Sequence, residues 1–567
     1  MKVSNPKINE SLHQIKAGLF GEGSPKRYTG EEQPLRSELF SSDQMEQHGR
    51  KLAGLHTVGT QLTPDQYLLT RLAENEVVLI EVRNIVTESV KANRQITPAG
   101  EWLLDNFYLI EEHIHTGKRH LPKGYSRELP RLVNGLSKGL PRVYDIALET
   151  ISHGDGRVDP ESLGRFVAAY QTVSPLKLGE LWAIPIMLRL ALIENLRRVA
   201  ARIADNSVDR DNADTWAEQM METAEKDPKN LILVIADMAR SKPPINTSFV
   251  SEFARRLQGQ SSPLALPLTW IEQQLFESGL TIERMVHLGN QQLAADQLSI
   301  SNSIDSLRFL GAMDWKEFVE TMSIIEQILR NDPGGAYSKM DFSTRDRYRR
   351  IIEKIARSSP MSEVEVAAKA IYLAQQNAVT RNSNDRTVHV GFFLVDKGLS
   401  ELERLVKVRF SALKSLTKVG TRFNLLLFTG SILLLTSILT WSLLSEAYAE
   451  GVHGWPLGLM GVLLFLCSSH LAVPLVNWLA TLLATPKPLP RMDFSHGIPA
   501  ESRTLVVIPA MLLNIQNIEE LTEALELRFL ANRDKYLHFA FLTDFRDSNK
   551  KTLPYYGALV KMACQKF

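Results

Sequence analysis

Apolar residues recur every three or four positions over most of the first four hundred residues, a spacing that predicts helices joined by short turns. The stretch "ITPAGEWLLDNFYLIEEHIHTGKRH", from Ile96, offers Thr97 as an N-cap and Pro98 at the first helical position. Trp102, Leu103, Phe107, Ile110 and Ile114 then repeat at helical spacing. A second stretch, "SPLKLGELWAIPIMLRLALIENLRRVAARI" from Ser174, has a broad apolar face and cations near its end, where they suit a helix C-terminus. Similar patterns fill 263–302, 314–329 and 344–357. Strand-like runs are few, and "TVHVGFFLV" (387–395) is the clearest. The periodicity breaks at "DNSVDRDNAD" (205–214), which divides the region into helical subdomains 35–205 and 206–400. Residues 1–34 read as a flexible N-terminus, with a mobile linker at 21–34.

Two later runs show no alternation at all. Residues 423–445, "FNLLLFTGSILLLTSILTWSLLS", contain no charged side chain. As a helix this run is ~34 Å long, enough to cross a hydrocarbon core of ~30 Å. Residues 455–484, "WPLGLMGVLLFLCSSHLAVPLVNWLATLLA", form a second run, with Pro474 as a kink that packed membrane helices tolerate. Trp441, Trp455 and Trp478 lie towards the ends, where aromatic belts form. The pair predicts a transmembrane hairpin over 423–484. A basic segment, 401–422, precedes it with Arg404, Lys407, Arg409, Lys414, Lys418 and Arg422, and Lys487 and Arg491 follow. The connecting "EAYAEGVHG" holds two Glu and no Lys or Arg. By the positive-inside rule both termini face the cytoplasm.

Past the hairpin, over 485–567, the texture changes again. A β-rich run, 504–508, ends at Pro509; a helix-like segment, 518–532, follows; a second apolar run, 537–542, leads into Thr543 and Asp544. Strand, helix and strand over about forty residues read as a βαβ unit with a parallel sheet. Open α/β sheets bind ligands beyond the carboxyl ends of their strands, here Pro509 and Asp544, with Asp547 three residues on. A carboxylate at such an end can accept hydrogen bonds from a base or ribose, or help hold a metal beside a diphosphate. It can equally cap the following turn.

Composition narrows the chemistry. At 567 residues the length allows three or four domains, and Lys+Arg 65 against Asp+Glu 64 gives no charge bias towards nucleic acid. With two cysteines, neither a disulfide framework nor a Cys-based zinc site is expected. The first residues lack the apolar core of a signal peptide. Three other features invite a metal reading. Glu111 and His115 stand at i,i+4 but fit a solvated helix face. Asp155 and Asp159 resemble a calcium loop, yet Pro160 and Phe166 replace the glycine and glutamate that an EF-hand needs. Asp209 and Asp211 form an Asp-x-Asp that follows a helix rather than a strand, where capping acids explain it as well.

The long motifs resemble those of the cyclic β-1,2-glucan synthases, large bacterial inner-membrane enzymes. The carriers are "LRSELFSSDQMEQHGRKLA" (Leu35), "ITPAGEWLLDNFYLIEEHI" (Ile96), "LPKGYSRELPRL" (Leu121), "LGELWAIPIMLRLALIENLRR" (Leu178), "YSKMDFSTRDRYRRIIEKIA" (Tyr337), "HVGFFLVDKGLSELE" (His389) and "ELRFLANRDKYLHFAFLTDFRD" (Glu526). The resemblance implies a mainly α chain: a large cytoplasmic helical region, the hairpin, and the first βαβ unit of a Rossmann-like, GT-A type glycosyltransferase domain. It implies glucosyl transfer from UDP-glucose to a glucan, with Mg2+ or Mn2+, at the bilayer of a bacterial inner membrane. Asp544, Asp547 and Pro509 then become the uridine side of the donor pocket. No Asp-x-Asp follows Asp544, nor the family's Gln-x-x-Arg-Trp, so no catalytic residue and no metal ligand set is assigned in these residues. The expectation is a portion inactive alone, completed by a C-terminal part that could be a separate chain. The alternative is a non-catalytic, membrane-anchored scaffold or regulatory subunit of a glucan synthase.

Overall fold

The computed structural model describes residues 28, 32–59, 67–121, 129–276, 278–381, 385–409, 424–483, 488–548 and 553–566. The chain divides into two compact units, Met1–Ile324 and Ile325–Phe567.

The first unit is built around one long helix. Helices α1 (Ser42–Leu55), α2 (Tyr67–Lys91), α3 (Pro98–Asp105), α4 (Phe107–His120), α5 (Arg142–His153) and α6 (Pro160–Gln171) precede α7 (Leu178–Lys226). The strands β1 (Val58–Gly59) and β2 (Arg131–Leu132) pair antiparallel. Thr97 caps α3 by accepting from Gly100 N–H, with Pro98 in the first turn, as the sequence predicts. The expected single helix from Ile96 is interrupted at Asn106, whose side-chain amide donates to the Trp102 carbonyl at 2.9 Å. The start of α7 is held by buried Arg142, which grips Glu180 through two bonds of 2.6 Å and donates to the Pro175 carbonyl at 2.7 Å.

From Leu178 to Ala204 nearly every side of α7 is buried, which marks the central helix of a bundle. It packs against α2 and α5, and against α8 (Leu231–Ser241), α9 (Thr247–Leu257) and α11 (Ile282–Ala312), while α10 (Ala265–Phe276) packs on α9. It also runs without a break through 205–214, where the sequence predicts a division. There the helix turns amphipathic: Asp209, Ala213, Ala217 and Met220 are buried towards Phe249, Phe253 and Leu257. The acids that blurred the pattern have tertiary partners. Asp205 accepts from Tyr28 N–H, Asp209 from Asn246, Asp211 from Arg94 and Asp214 from Arg256. Most of 1–34, expected to be flexible, falls outside the described residues; Glu32, near its end, ion-pairs with Arg71 and Arg197.

Helix α12 (Trp315–Met322) closes the first unit, and α13 (Ile324–Leu329) begins at the division. In the second unit, α14 (Phe342–Ala356) and α15 (Glu363–Thr380) pack on the short helices α16 (Gly391–Val395) and α17 (Leu399–Leu405). The expected strand at 387–395 is instead a 3₁₀ turn and α16. Its backbone is satisfied by side chains rather than by a neighbouring strand. Val390 N–H donates to Asp332 at 2.8 Å, and Asn377 donates to the Thr387 carbonyl at 2.9 Å.

Two helices, α18 (Asn424–Ala449) and α19 (Trp455–Leu483), are long and apolar enough to cross a membrane. They pack on each other, while only 11% of each apolar window is buried. A soluble core helix would bury most of that surface. The buried positions are small or hydroxylic: Thr436, Thr440, Ala447, Ser468 and Ala472. The basic segment is described only as far as Arg409; Lys414, Lys418, Arg422 and Lys487 lie outside the described residues. Beyond the pair come β3 (Thr504–Leu512), α20 (Ile515–Ala531), β4 (Leu537–Phe545) and α21 (Tyr556–Lys566). The two strands pair in parallel from Thr504↔Leu537 to Leu512↔Phe545.

Candidate functional site

Strand β3 continues three residues past Pro509, so Pro509 sits inside the strand instead of closing it. A proline is tolerated there because, among the described residues, β4 is the one strand paired with β3 and the other edge needs no N–H donor. Asp544 is the penultimate residue of β4, opposite Met511. Pro509 pairs with Leu542, and side chains alternate along strands. Pro509, Met511, Leu542 and Asp544 therefore share one face of the sheet, and all are exposed. On the opposite face Leu512 packs with Ile518 of α20 and Leu559 of α21, with Phe545 against them.

The loop after β4 is clipped to α21. Tyr556 stacks on Phe545 with centroids 3.9 Å apart, and its hydroxyl donates to the Arg546 carbonyl at 2.9 Å. Asp544 accepts the N–H of its neighbour Phe545 at 2.8 Å, so one carboxylate oxygen serves the local turn. Desolvation, Tyr555 and then the charges of Asp544 and Asp547 push the Tyr556 phenol above its ordinary range. The structure thus gathers Asp544 and Asp547 at one strand end, while Pro509 lies further back on the same face as Asp544. Among the described residues no trio of His, Cys, Asp or Glu ligand atoms gathers here.

The other metal-like motifs have structural partners. Glu111 pairs with Arg83, and His115 is exposed. Arg36 grips Asp155 at 3.0 and 3.1 Å, and Asp159 caps α6 through Ser162 N–H. The Asp209-x-Asp211 pair lies inside α7. Sequence reasoning missed one cluster, His48 with Glu149 and His153, whose signal is an i,i+4 Glu–His pair on α5.

No family model matches the chain. Its sequence is similar to the cyclic beta-(1,2)-glucan synthase NdvB of Rhizobium meliloti (strain 1021), with 32% identity over 526 residues. The match covers 92% of this chain and 18% of that protein, so the chain spans under a fifth of the relative's length. A helical chain with two membrane-length helices and a parallel βαβ unit is thus similar in sequence to part of a glucan synthase. Over the matched span this similarity supports the family of the cyclic β-(1,2)-glucan synthases.

Proposed function

We propose that this chain is the membrane-anchoring and donor-binding-edge portion of a glucosyltransferase that makes cyclic β-1,2-glucan from UDP-glucose. The observation that carries the reading is Asp544 at the carboxyl end of β4, in a parallel βαβ unit that follows two apolar helices. Asp544 and Asp547 would accept hydrogen bonds from the uridine, with Pro509 on the same sheet face as Asp544. Leu505, Val507, Met511 and Leu542 are exposed on that face. Parallel sheets are normally covered on both faces, which supports further layers of a larger α/β domain in the complete enzyme. The two helices span the bacterial inner membrane, with Arg404, Lys407, Arg409 and Arg491 on the cytoplasmic side, where UDP-glucose is available.

The complete enzyme would use Mg2+ or Mn2+ to neutralise the departing diphosphate. The described residues near Asp544 offer too few ligands to hold it, and no step is routed through a metal here. The portion alone is therefore expected to bind donor weakly and to transfer nothing. Membranes carrying only this chain are incubated with a photoactivatable UDP-glucose and, separately, with labelled UDP-glucose. UDP-competed labelling of the β4–α21 segment, lost in Asp544→Ala, with no glucan formed, is the expected result. Absence of competed labelling overturns the donor-edge reading and favours the scaffold; glucan incorporation overturns the expected inactivity.

A further inference from the structure

Helix α5 ends with Glu149 and His153 four residues apart, so both side chains leave the same face. His48 of α1 meets them there. Its Nε2 lies 2.8 Å from Glu149 Oε2, and His153 Nε2 lies 3.2 Å from the same oxygen. All three ligand atoms lie within 4.8 Å of one another. Atoms about 2.1 Å from a common tetrahedral centre lie roughly 3.4 Å apart, so small side-chain rotations bring this trio to one ion.

The protonation pattern is informative. His153 Nδ1 lies 2.7 Å from the Glu38 carbonyl oxygen, which can only accept, so Nδ1 carries the proton. In neutral His153 the Nε2 lone pair then faces the Glu149 carboxylate. Two electron-rich atoms at that separation need a positive charge between them, either a second proton or a metal ion. An imidazole whose Nδ1–H is held by a backbone carbonyl is the usual outer-shell arrangement of a histidine ligand. Both rings are also fixed by packing. Phe40 stacks on His153 at 3.9 Å and 8°. His48 lies edge-on to Phe40 at 5.4 Å and parallel to Phe166 at 6.2 Å. Gly49 lets α1 approach closely, since a Cβ there would lie 2.9 Å from Phe166.

We propose that His48, Glu149 and His153 form a divalent transition-metal site, suited to Zn2+, that fastens α1 and the segment carrying Glu38 to α5. Two imidazoles and one carboxylate match zinc and exclude the all-oxygen shell that calcium and magnesium prefer. A fourth position stays open to water, and His153 lines a cavity of about 560 Å³ that can supply it. The site is separate from the proposed donor edge, and its test does not depend on glucosyl transfer.

The experiment uses the full, untagged chain in detergent, dialysed against Zn2+ and assayed for bound metal, then reloaded with Co2+ for its visible spectrum. One equivalent of Zn2+ and a tetrahedral Co2+ spectrum are expected. His153→Ala and Glu149→Gln should each weaken binding at least 100-fold, beyond the 10- to 100-fold that outer-shell partners command. His48→Cys should retain the ion and add sulfur-to-cobalt charge transfer, which separates a lost ligand from a lost fold. No zinc uptake by the wild-type chain would leave a shared proton in its place and overturn the site. Equal uptake by the His48→Ala/His153→Ala variant would overturn it as well.

Discussion

Asp341 donates its backbone N–H to the carbonyl oxygen of Arg491 at 3.0 Å. Asp493 N–H donates to the Lys339 carbonyl at 2.8 Å, and Met340 and Met492 form an antiparallel bridge. The chain leaving α19 thus returns to the residues just before α14, which precede the apolar pair in sequence. This docking brings the chain after the pair back to the chain before it. The expected outcome is that a reporter fused after Gly451 reads the periplasm, while one fused after Arg491 reads the cytoplasm. Equal signals from both would refute a two-helix crossing, and the reverse pattern would refute its orientation.

Glu194, buried on α7, is bound by Arg71 at 2.8 and 3.0 Å, by Arg197 at 3.0 Å and by Arg198 at 2.7 Å. Burial alone would raise its carboxyl; the Arg71 hydrogen bonds, the Arg197 charge and the Arg198 hydrogen bond hold it down, to about 2. The resulting stabilisation is fully present above the unfolded value near 4.5 and is lost as the pH falls through about 2. Glu194→Gln should cost about 3 kcal/mol near neutrality, because three guanidinium groups lose a buried partner charge. Urea midpoints against pH are the measurement. The gap between wild type and variant should be constant above about pH 4.5 and close towards pH 2.

His113 titrates in a different window. Burial first, and then the Arg189 charge, lower it to about 4, and Arg189 Nε–H donates to His113 Nδ1 at 2.8 Å. The unfolded chain takes up this proton near 6.5 while the folded chain does not, so stability falls as the pH drops from 6.5 to 4. The loss should reach about 3 kcal/mol at pH 4. His113→Gln can accept the same bond without titrating, and its stability should stay flat over that range. A wild-type slope that survives the substitution would assign the effect to another group.

How much of this was legible in the sequence depends on where each residue finds its partners. Local signals read true: Thr97 and Pro98 start α3, and the two charge-free runs form α18 and α19. Segments whose polar groups are satisfied from afar misread. The acids at 205–214 look like a linker because Arg94, Asn246 and Arg256, their partners, are remote in sequence. The β-branched run at 387–395 looks like a strand because Asp332 and Asn377, which satisfy its backbone, are invisible locally. The place of Asp544 near the end of β4 was legible because an apolar run that ends in an acid is a local pattern. His48 joining Glu149 and His153 was not, since α1 and α5 meet only in the fold.

The Phe545–Tyr556 contact sets the direction of the loop that carries Asp547. Tyr556 contributes a ring stacked at 7° to Phe545 and a hydroxyl bonded to the Arg546 carbonyl, and these contributions are separable. Tyr556→Phe keeps the stack and removes the bond, and should reduce UDP-competed labelling roughly fivefold, the usual net worth of one hydrogen bond. Tyr556→Ala removes both and should abolish labelling while leaving the thermal unfolding of the helical units unchanged. Leu559 and Ile518 would still pack beneath Leu512, so the strand pair survives the substitution. Labelling that is unaffected by either change would mean that the loop needs no clip, and that Asp544 alone, held in the β4 ladder, directs the donor.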